Sequence, residues 1–195
     1  MLINWRQREL NLKIVYYGPA LSGKTTNLEQ IHARTNPQRR GELVSLKTQG
    51  DRTLFFDFLQ LELGKIGGLT PKIHLYTVPG QTYYEATRKL VLKDADGVVF
   101  VADSAPAQLA ANVHSWQNLK AHLVSYGVQY ESFPLVVQFN KQDLPNALPP
   151  ATLRNVLRLN GSPVVSAVAV QNQGVSDTLK AILNQVLARV QKEMT

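Results

Sequence analysis

The chain has 195 residues, of which 44% are apolar, and it contains no cysteine. This length and apolar content predict one domain over residues 1–195 with a full hydrophobic core, while the absence of cysteine excludes disulfides, thiolate metal sites and prenyl anchors. Lys and Arg outnumber Asp and Glu by 21 to 14, which gives a net charge of +7. The basic residues are dispersed, which is typical of solvated helix faces and loops. Alternatively, they could bind an acidic protein partner or an anionic membrane surface.

Neither a membrane span nor a secretory signal is expected from the apolar runs. No run approaches the roughly 18 residues that a spanning helix needs, and none follows the first charged residues. The basic residues also lack the interleaved aromatic side chains of a nucleic-acid-binding stripe. We therefore expect a cytoplasmic protein that binds no nucleic acid.

The first predicted elements are a strand over residues 12–17 and a helix over residues 26–31, separated by a glycine-containing loop. Gly18 to Thr25 fit the phosphate-binding pattern G-x-x-x-x-G-K-[ST] at every defined position. In such a loop, backbone N–H groups surround phosphate oxygens, the Lys24 ammonium reaches the β- and γ-phosphates, and the Thr25 hydroxyl binds Mg²⁺. The nucleotide-binding residues predicted in this loop are Gly18, Ala20, Leu21, Ser22, Gly23, Lys24, Thr25 and Thr26.

A long polar segment follows the first helix. Residues 38–53 are predicted to form a loop that is too long for an ordinary connection, and loops of that length tend to be functional. Residues 54–63 alternate as in a strand, and residues 72–78 are their predicted antiparallel partner across a glycine-containing turn. From the loop, the hydroxyl or carbonyl group of Thr53 could reach Mg²⁺. Arg52 is either a cation that stabilises charge at the β–γ bridge or a solvated loop arginine.

Helices and strands alternate along the rest of the chain, a pattern that predicts a mostly parallel sheet covered on both faces. The remaining predicted elements are strands at residues 97–102, 134–139 and 164–168 and helices near 83–93, 108–125, 151–159 and 175–190. The predicted fold class is α/β, a P-loop NTPase fold with a six- to seven-stranded sheet and one antiparallel strand pair.

Ligands of such sheets bind at the carboxyl ends of the strands, where Asn140, Lys141 and Asp143 follow a predicted strand. The Asp143 carboxylate can accept hydrogen bonds from the N1–H and amino groups of guanine, a pair of donors that adenine lacks. Asn140 can brace the loop, and the stem of Lys141 can cover the base. These three residues therefore predict a site for guanine.

Two more segments are predicted at this edge of the sheet. Gly80 and Gln81 would lie where the γ-phosphate ends, so the Gly80 N–H can bond that phosphate and Gln81 can orient the attacking water. Ser166 and Ala167 end the last predicted strand and are further candidates for nucleotide contact. The predicted catalytic residues are thus Gln81 and Arg52, and the predicted metal ligands are Thr25 and Thr53.

Together, these motifs resemble those of the Ras-like small GTPases over nearly the whole chain. The resemblance to one bacterial branch, the MglA family of gliding motility and cell polarity, is closer. The residues that carry this closer resemblance are 13–19, 23–28, 52–58 and 77–81. It implies a Ras-like G domain that binds GTP or GDP with Mg²⁺ and acts as a switch at a cell pole.

The resemblance also implies partners and a mode of activation. In the MglA family, the partners are a dimeric roadblock-type GTPase-activating protein, MglB, and effectors that include RomR. Activation repositions an arginine and a glutamine of the GTPase itself, which match Arg52 and Gln81 here. The second strand changes register on GTP binding in that family, so movement is expected in residues 54–63.

Two positions depart from the family patterns. Thr77 stands where most Ras-like proteins carry the aspartate that holds a Mg²⁺-bound water, as it does in the MglA branch, and weaker metal affinity is expected. Ala20 stands where both groups normally carry glycine. Its methyl group points at the space that Gln81 and an arginine share in the transition state, which predicts impaired hydrolysis.

Three interpretations follow from these residues. The first is a guanine-nucleotide switch that hydrolyses GTP slowly and depends on an activator. The second is a scaffold that stays in the GTP form because of Ala20 and recruits effectors with little hydrolysis. The third, a P-loop kinase for a small molecule, is disfavoured because it has no use for the motif at 140–143.

Overall fold

The computed structural model describes residues 1–46, 56–130, 132–159 and 161–194. In these ranges, one sheet contains the eight strands β1 (Leu2–Asn4), β2 (Glu9–Tyr17), β3 (Val44–Leu46), β4 (Phe56–Glu62), β5 (Thr70–Thr77), β6 (Gly97–Asp103), β7 (Leu135–Asn140) and β8 (Val164–Ser166). The α-helices of the same ranges are α1 (Lys24–Arg34), α2 (Glu85–Leu92), α3 (Leu109–Ser125), α4 (Pro150–Val156) and α5 (Val175–Met194). Within this described part, no helix is both long and apolar enough to cross a membrane.

The order of the strands confirms the predicted α/β class. The sheet runs β3-β4-β5-β2-β6-β7-β8, and β1 pairs with the first residues of β2. Pairing is parallel from β5 through β2, β6 and β7 to β8. The predicted antiparallel pair is formed by β4 and β5, where Phe58 lies opposite Tyr76. Parallel strands require crossover connections, which here are supplied by the helices.

Two short strands extend the sheet beyond the prediction. Both β1 and β3 pair antiparallel with a neighbour, β2 and β4 respectively. The prediction of a continuous loop over residues 38–53 was therefore wrong for Val44–Leu46. Three residues are too few to show an alternating pattern, so the edge of β4 specifies this strand. Residues 47–53 of the predicted loop, which include Arg52 and Thr53, lie outside the described residues.

The sheet separates two hydrophobic clusters. Side chains alternate along β2, so that Leu12, Ile14 and Tyr16 belong to one cluster while Val15 and Tyr17 belong to the other. The first cluster includes buried side chains of α1 and α5, and the second includes side chains of α2, α3 and α4. Packing on both faces holds the carboxyl ends of the parallel strands in a defined position.

A buried polar network ties α1 to the middle of the sheet. Asn27 and Gln138 exchange two amide hydrogen bonds, 2.8 Å and 2.9 Å long, and Gln138 also donates to the hydroxyl of Thr178 at 2.8 Å. All three side chains are fully buried. Because an unpaired buried amide is costly, this network specifies how α1 and α5 sit against β7.

Candidate nucleotide-binding site

The segment between β2 and α1 forms a tight loop at the carboxyl edge of the sheet. Gly23 has φ +100°, and a Cβ there would lie 2.2 Å from Nδ2 of Asn140, so glycine is required. In the described part of the chain, no side chain caps the first turn of α1. The free N–H groups of such a turn, together with the helix dipole, attract anions.

Lys24 begins α1 and is only 7% exposed. Its Nζ donates hydrogen bonds to the carbonyl oxygens of Pro19 at 2.6 Å and Gly18 at 3.1 Å. Burial, with a smaller contribution from the nearby Arg88, lowers the pKa of Lys24 to about 7, although the charge of Asp57 opposes this shift. The loop by itself therefore stabilises the ammonium poorly, whereas a bound phosphate would restore its charge.

A carboxylate that the sequence did not identify lies beside the predicted metal ligand. The Thr25 hydroxyl donates to Oδ2 of Asp57 at 2.6 Å, and the Thr77 hydroxyl donates to the same oxygen at 2.9 Å. Ser45 donates to the other oxygen, Oδ1, at 2.6 Å. Hydroxyl and carboxylate oxygens are the hard ligands that Mg²⁺ prefers, so this group of side chains fits that cation.

A cavity of about 770 Å³ lies between the loop and the segment after β5. Its lining includes Ala20, Leu21, Lys24, Thr25, Asp57, Thr77, Gly80 and Gln81. Gly80 packs directly on the loop, since a Cβ there would lie 2.2 Å from the backbone nitrogen of Ala20. Gln81 accepts a hydrogen bond from Tyr83 at 2.9 Å through Oε1, and the buried Arg88 donates to its carbonyl oxygen. The structure thus brings Ala20, Gly80 and Gln81 together.

A second cavity, of about 240 Å³, lies on the other side of the same loop. It is lined by Leu21, Gly23, Thr26, Asn140, Lys141, Asp143, Leu144, Ala169 and Val170. Asp143 is exposed at this cavity, and Leu21 lines both cavities. An elongated ligand with an anionic end and a planar end would therefore pass over Leu21.

Asn140 is the brace that the sequence predicts. Its Nδ2 donates to the Ser22 carbonyl oxygen at 2.8 Å, and its Oδ1 accepts from the backbone nitrogen of Ala169 at 2.8 Å. Lys141 donates to Oδ2 of the buried Asp103 at 2.6 Å, which fixes the direction of its stem. Three separate loops are thus joined at the second cavity.

Ser166 and Ala167 come just before the segment that lines the second cavity. Ala167 is 2% exposed, its nitrogen donates to the Phe139 carbonyl at 2.8 Å, and its own carbonyl accepts from Gln142 at 3.2 Å. Neither Ser166 nor Ala167 lines the second cavity, whose wall on this side is formed by Ala169 and Val170. Their contact with a nucleotide stays a prediction.

Three candidate functional residues escaped the sequence reasoning. Asp57 contacts the predicted metal ligand Thr25. Asp103 contacts Lys141, and Arg88 contacts Gln81. Of these three, only Asp57 had a recognisable signal in the sequence. It lies between two phenylalanines at the start of β4, and a carboxylate in that position is unusual in a half-buried strand.

Asn140→Ala is expected to lower the free energy of unfolding of the nucleotide-free protein by about 2–4 kcal/mol, because a buried N–H and a buried carbonyl lose their partners. Urea denaturation measures this change. Asn118→Ala is the matched control, since Asn118 has an exposed hydrogen bond to His114 and is expected to cost less than about 0.5 kcal/mol. Equal costs for the two variants would show that Asn140 is no brace.

Comparisons with known proteins identify the family of this chain. The sequence profile of the ADP-ribosylation factor family matches residues 1–194. The chain is 51% identical over 190 residues to the mutual gliding-motility protein MglA of Myxococcus xanthus, an alignment that covers 97% of each protein. It is 26% identical over 186 residues to human ADP-ribosylation factor-like protein 4C, covering 92% of this chain and 88% of that protein.

The extent of these matches confirms the resemblance drawn from the motifs. The profile match over residues 1–194 includes the loop at 18–25, the segment at 80–81 and the motif at 140–143, and the alignment with MglA covers 97% of this chain. The chain therefore belongs to the ADP-ribosylation factor family of Ras-like small GTPases and, within these, to the MglA group.

Proposed function

We propose that this chain is a guanine-nucleotide switch that hydrolyses GTP to GDP. The buried ammonium of Lys24 carries the proposal, because its hydrogen-bond partners among the described residues are two backbone carbonyls and no carboxylate. A phosphate chain would supply the missing negative charge in the first cavity, whose volume is typical of a ligand site. The base would then reach Asp143 in the second cavity.

Residues around the first cavity have separate proposed roles in hydrolysis. Lys24 and the N–H groups of the loop would hold the β- and γ-phosphates, while the Gly80 N–H would bond the γ-phosphate and Gln81 would orient the water. Thr25, with Thr53 from outside the described residues, would hold Mg²⁺, which neutralises charge on the phosphates. Arg52, also outside them, is the proposed cation at the β–γ bridge.

A relative in Myxococcus xanthus that is named for gliding motility supports a proposal for the cellular role. We infer that this chain regulates polarity or motility through effector binding, from the cytoplasm and with recruitment to a cell pole. Its proposed partners are a roadblock-type activating protein like MglB and an effector like RomR. The resemblance in the motifs supports these partners.

Ala20 favours a second candidate function, a GTP-bound scaffold that recruits effectors with little hydrolysis. Ala20 lines the same cavity as Gln81, and its backbone nitrogen lies against Gly80. A methyl group in that space competes with the glutamine and the arginine for room beside the γ-phosphate. The scaffold would bind nucleotide as the switch does but would hydrolyse it far more slowly.

Single-turnover hydrolysis tests the proposal and separates the two candidates. The purified protein is expected to bind GDP and GTP but not ATP. Strong acceleration of GTP hydrolysis by a roadblock-type activator would establish a cycling switch. Intact GTP binding without acceleration would favour the scaffold, and equal affinity for ATP and GTP would overturn the assignment of Asp143.

Ala20→Gly is expected to raise the activator-stimulated hydrolysis rate by about 10- to 100-fold, which corresponds to about 1.4–2.7 kcal/mol of barrier. The physical reason is the removal of a methyl group from the space that Gln81 must enter. Ala110→Gly, at an exposed position of α3, is the matched control and leaves the rate unchanged. Equal rates for wild type and Ala20→Gly would show that Ala20 does not hinder hydrolysis.

A further inference from the structure

Asp57 collects hydrogen bonds from three different elements. It is the second described residue of β4, and it is half-buried at the edge of the first cavity. Thr25 of α1 and Thr77 of β5 share its Oδ2, and Ser45 of β3 donates to its Oδ1. The backbone nitrogen of Asp57 donates to the Thr77 hydroxyl at 2.8 Å as well. The carboxylate is therefore held in one orientation, facing the cavity between the loop and β5.

Among the described residues, no salt bridge matches the charge of Asp57. Its hydrogen-bond donors are neutral hydroxyl groups, and no Lys, Arg or His of the described residues lies in ion-pair contact with it. It is also the one carboxylate among the described residues that line the first cavity. A fixed negative charge thus lies beside the place proposed for the phosphates.

A carboxylate beside a polyphosphate is repelled unless a cation lies between them. Mg²⁺ is typically bound through one or two carboxylates together with substrate phosphates and a hydroxyl. The Thr25 hydroxyl donates a hydrogen bond to Asp57, so the lone pairs of the hydroxyl oxygen are free to face a cation. Asp57 accordingly complements Thr25 as a metal-binding pair.

We propose that Asp57 supplies the carboxylate of the Mg²⁺ site and that Thr77 positions it. The inference rests on the proposed function, since Mg²⁺ would be bound together with a nucleotide. A threonine at the end of β5 cannot contribute a charge, but its hydroxyl lies 2.9 Å from Oδ2 of Asp57. The carboxylate is thus provided by the neighbouring strand, and the loss of metal affinity expected from Thr77 is offset.

The test is the Mg²⁺ dependence of nucleotide release. The full-length protein is loaded with a fluorescent GDP, and the release rate is measured in EDTA and across a range of Mg²⁺ concentrations. For Asp57→Asn, the Mg²⁺ concentration that gives half-maximal slowing is expected to rise about 10- to 100-fold, while release in EDTA changes by less than about twofold. Glu62→Gln, at the other end of β4, is the matched control and leaves both quantities unchanged.

A rescue variant separates charge from structure. Combining Asp57→Asn with Thr77→Asp returns a carboxylate to within about 3 Å of its original position, because the two side chains are in hydrogen-bond contact. The double variant is expected to recover a Mg²⁺ requirement within about fivefold of wild type, as a metal-binding carboxylate would. If Asp57 had only a structural role, adding Thr77→Asp would not restore the Mg²⁺ requirement.

The outcomes distinguish this inference from the proposed function. A wild-type protein that binds no GDP would overturn both. A wild-type protein whose GDP release is slowed by Mg²⁺, with an unchanged Mg²⁺ requirement in Asp57→Asn, would overturn the role of Asp57 alone. If Asp57→Asn does not fold, Thr77→Val decides: a rise in the Mg²⁺ requirement of about 3- to 10-fold supports the inference, and no rise overturns it.

Discussion

Asp143→Asn is expected to lower the affinity for GTP by about 10³-fold or more and to create affinity for the xanthine nucleotide. Asp143 is exposed at the second cavity, where its carboxylate would accept from the N1–H and amino groups of guanine. An asparagine presents an N–H group to the guanine amino group, so two donors face each other. Xanthine carries a carbonyl oxygen at that position and accepts the new hydrogen bond.

Competition binding against a fluorescent GDP measures this change in base preference. Asp177→Asn, which removes another exposed carboxylate at the start of α5, is the matched control and keeps the wild-type preference. The Asp143→Asn protein is expected to fold normally, because the side chain is exposed. An unaltered ratio of GTP to xanthine nucleotide affinity would remove Asp143 from the base site.

Lys24→Met is expected to lower GDP affinity at least about 100-fold. The free energy of unfolding of the nucleotide-free variant is expected to lie within about 1 kcal/mol of the wild-type value or to exceed it. The buried ammonium is poorly stabilised without phosphate, as its lowered pKa of about 7 indicates. A methionine of similar length fills the same volume without a charge to desolvate. The variant thus separates the binding role of Lys24 from its cost to the fold.

Thermal unfolding with and without GDP tests both parts of this prediction. Wild type is expected to gain stability from GDP, and Lys24→Met is expected to show no gain at the same GDP concentration. Lys180→Met, at an exposed position of α5, is the control that keeps the gain. A strongly destabilised nucleotide-free Lys24→Met would mean that the hydrogen bonds to Gly18 and Pro19 support the fold itself.

Local motifs were predictable because their geometry depends on contiguous residues. The loop at 18–25 needs glycines, a lysine and a threonine at set spacings after a strand, and the structure places it between β2 and α1 as expected. The brace at Asn140 and the proximity of Ala20 to Gln81 were also anticipated. Both follow from the rule that the carboxyl ends of parallel strands meet at one edge.

The boundaries of the sheet were less predictable. The central strands are continuous apolar runs, as β6 and β7 show by being buried throughout, and they were recognised from composition. The three-residue strand β3 was missed because its pairing with β4 gives no periodic signal of its own. The same limit applies to β1.

The α/β class, the phosphate loop and the motif that predicts guanine binding could be recognised from the amino-acid sequence, because each depends on neighbouring residues or on hydrophobic periodicity. The carboxylate beside Thr25 could be recognised only in the folded protein. Asp57 reaches that position through the antiparallel pairing of β4 with β3 and β5, and residues 25, 45, 57 and 77 come together from four elements. Contacts between residues so distant along the chain depend on strand register, which local patterns do not encode.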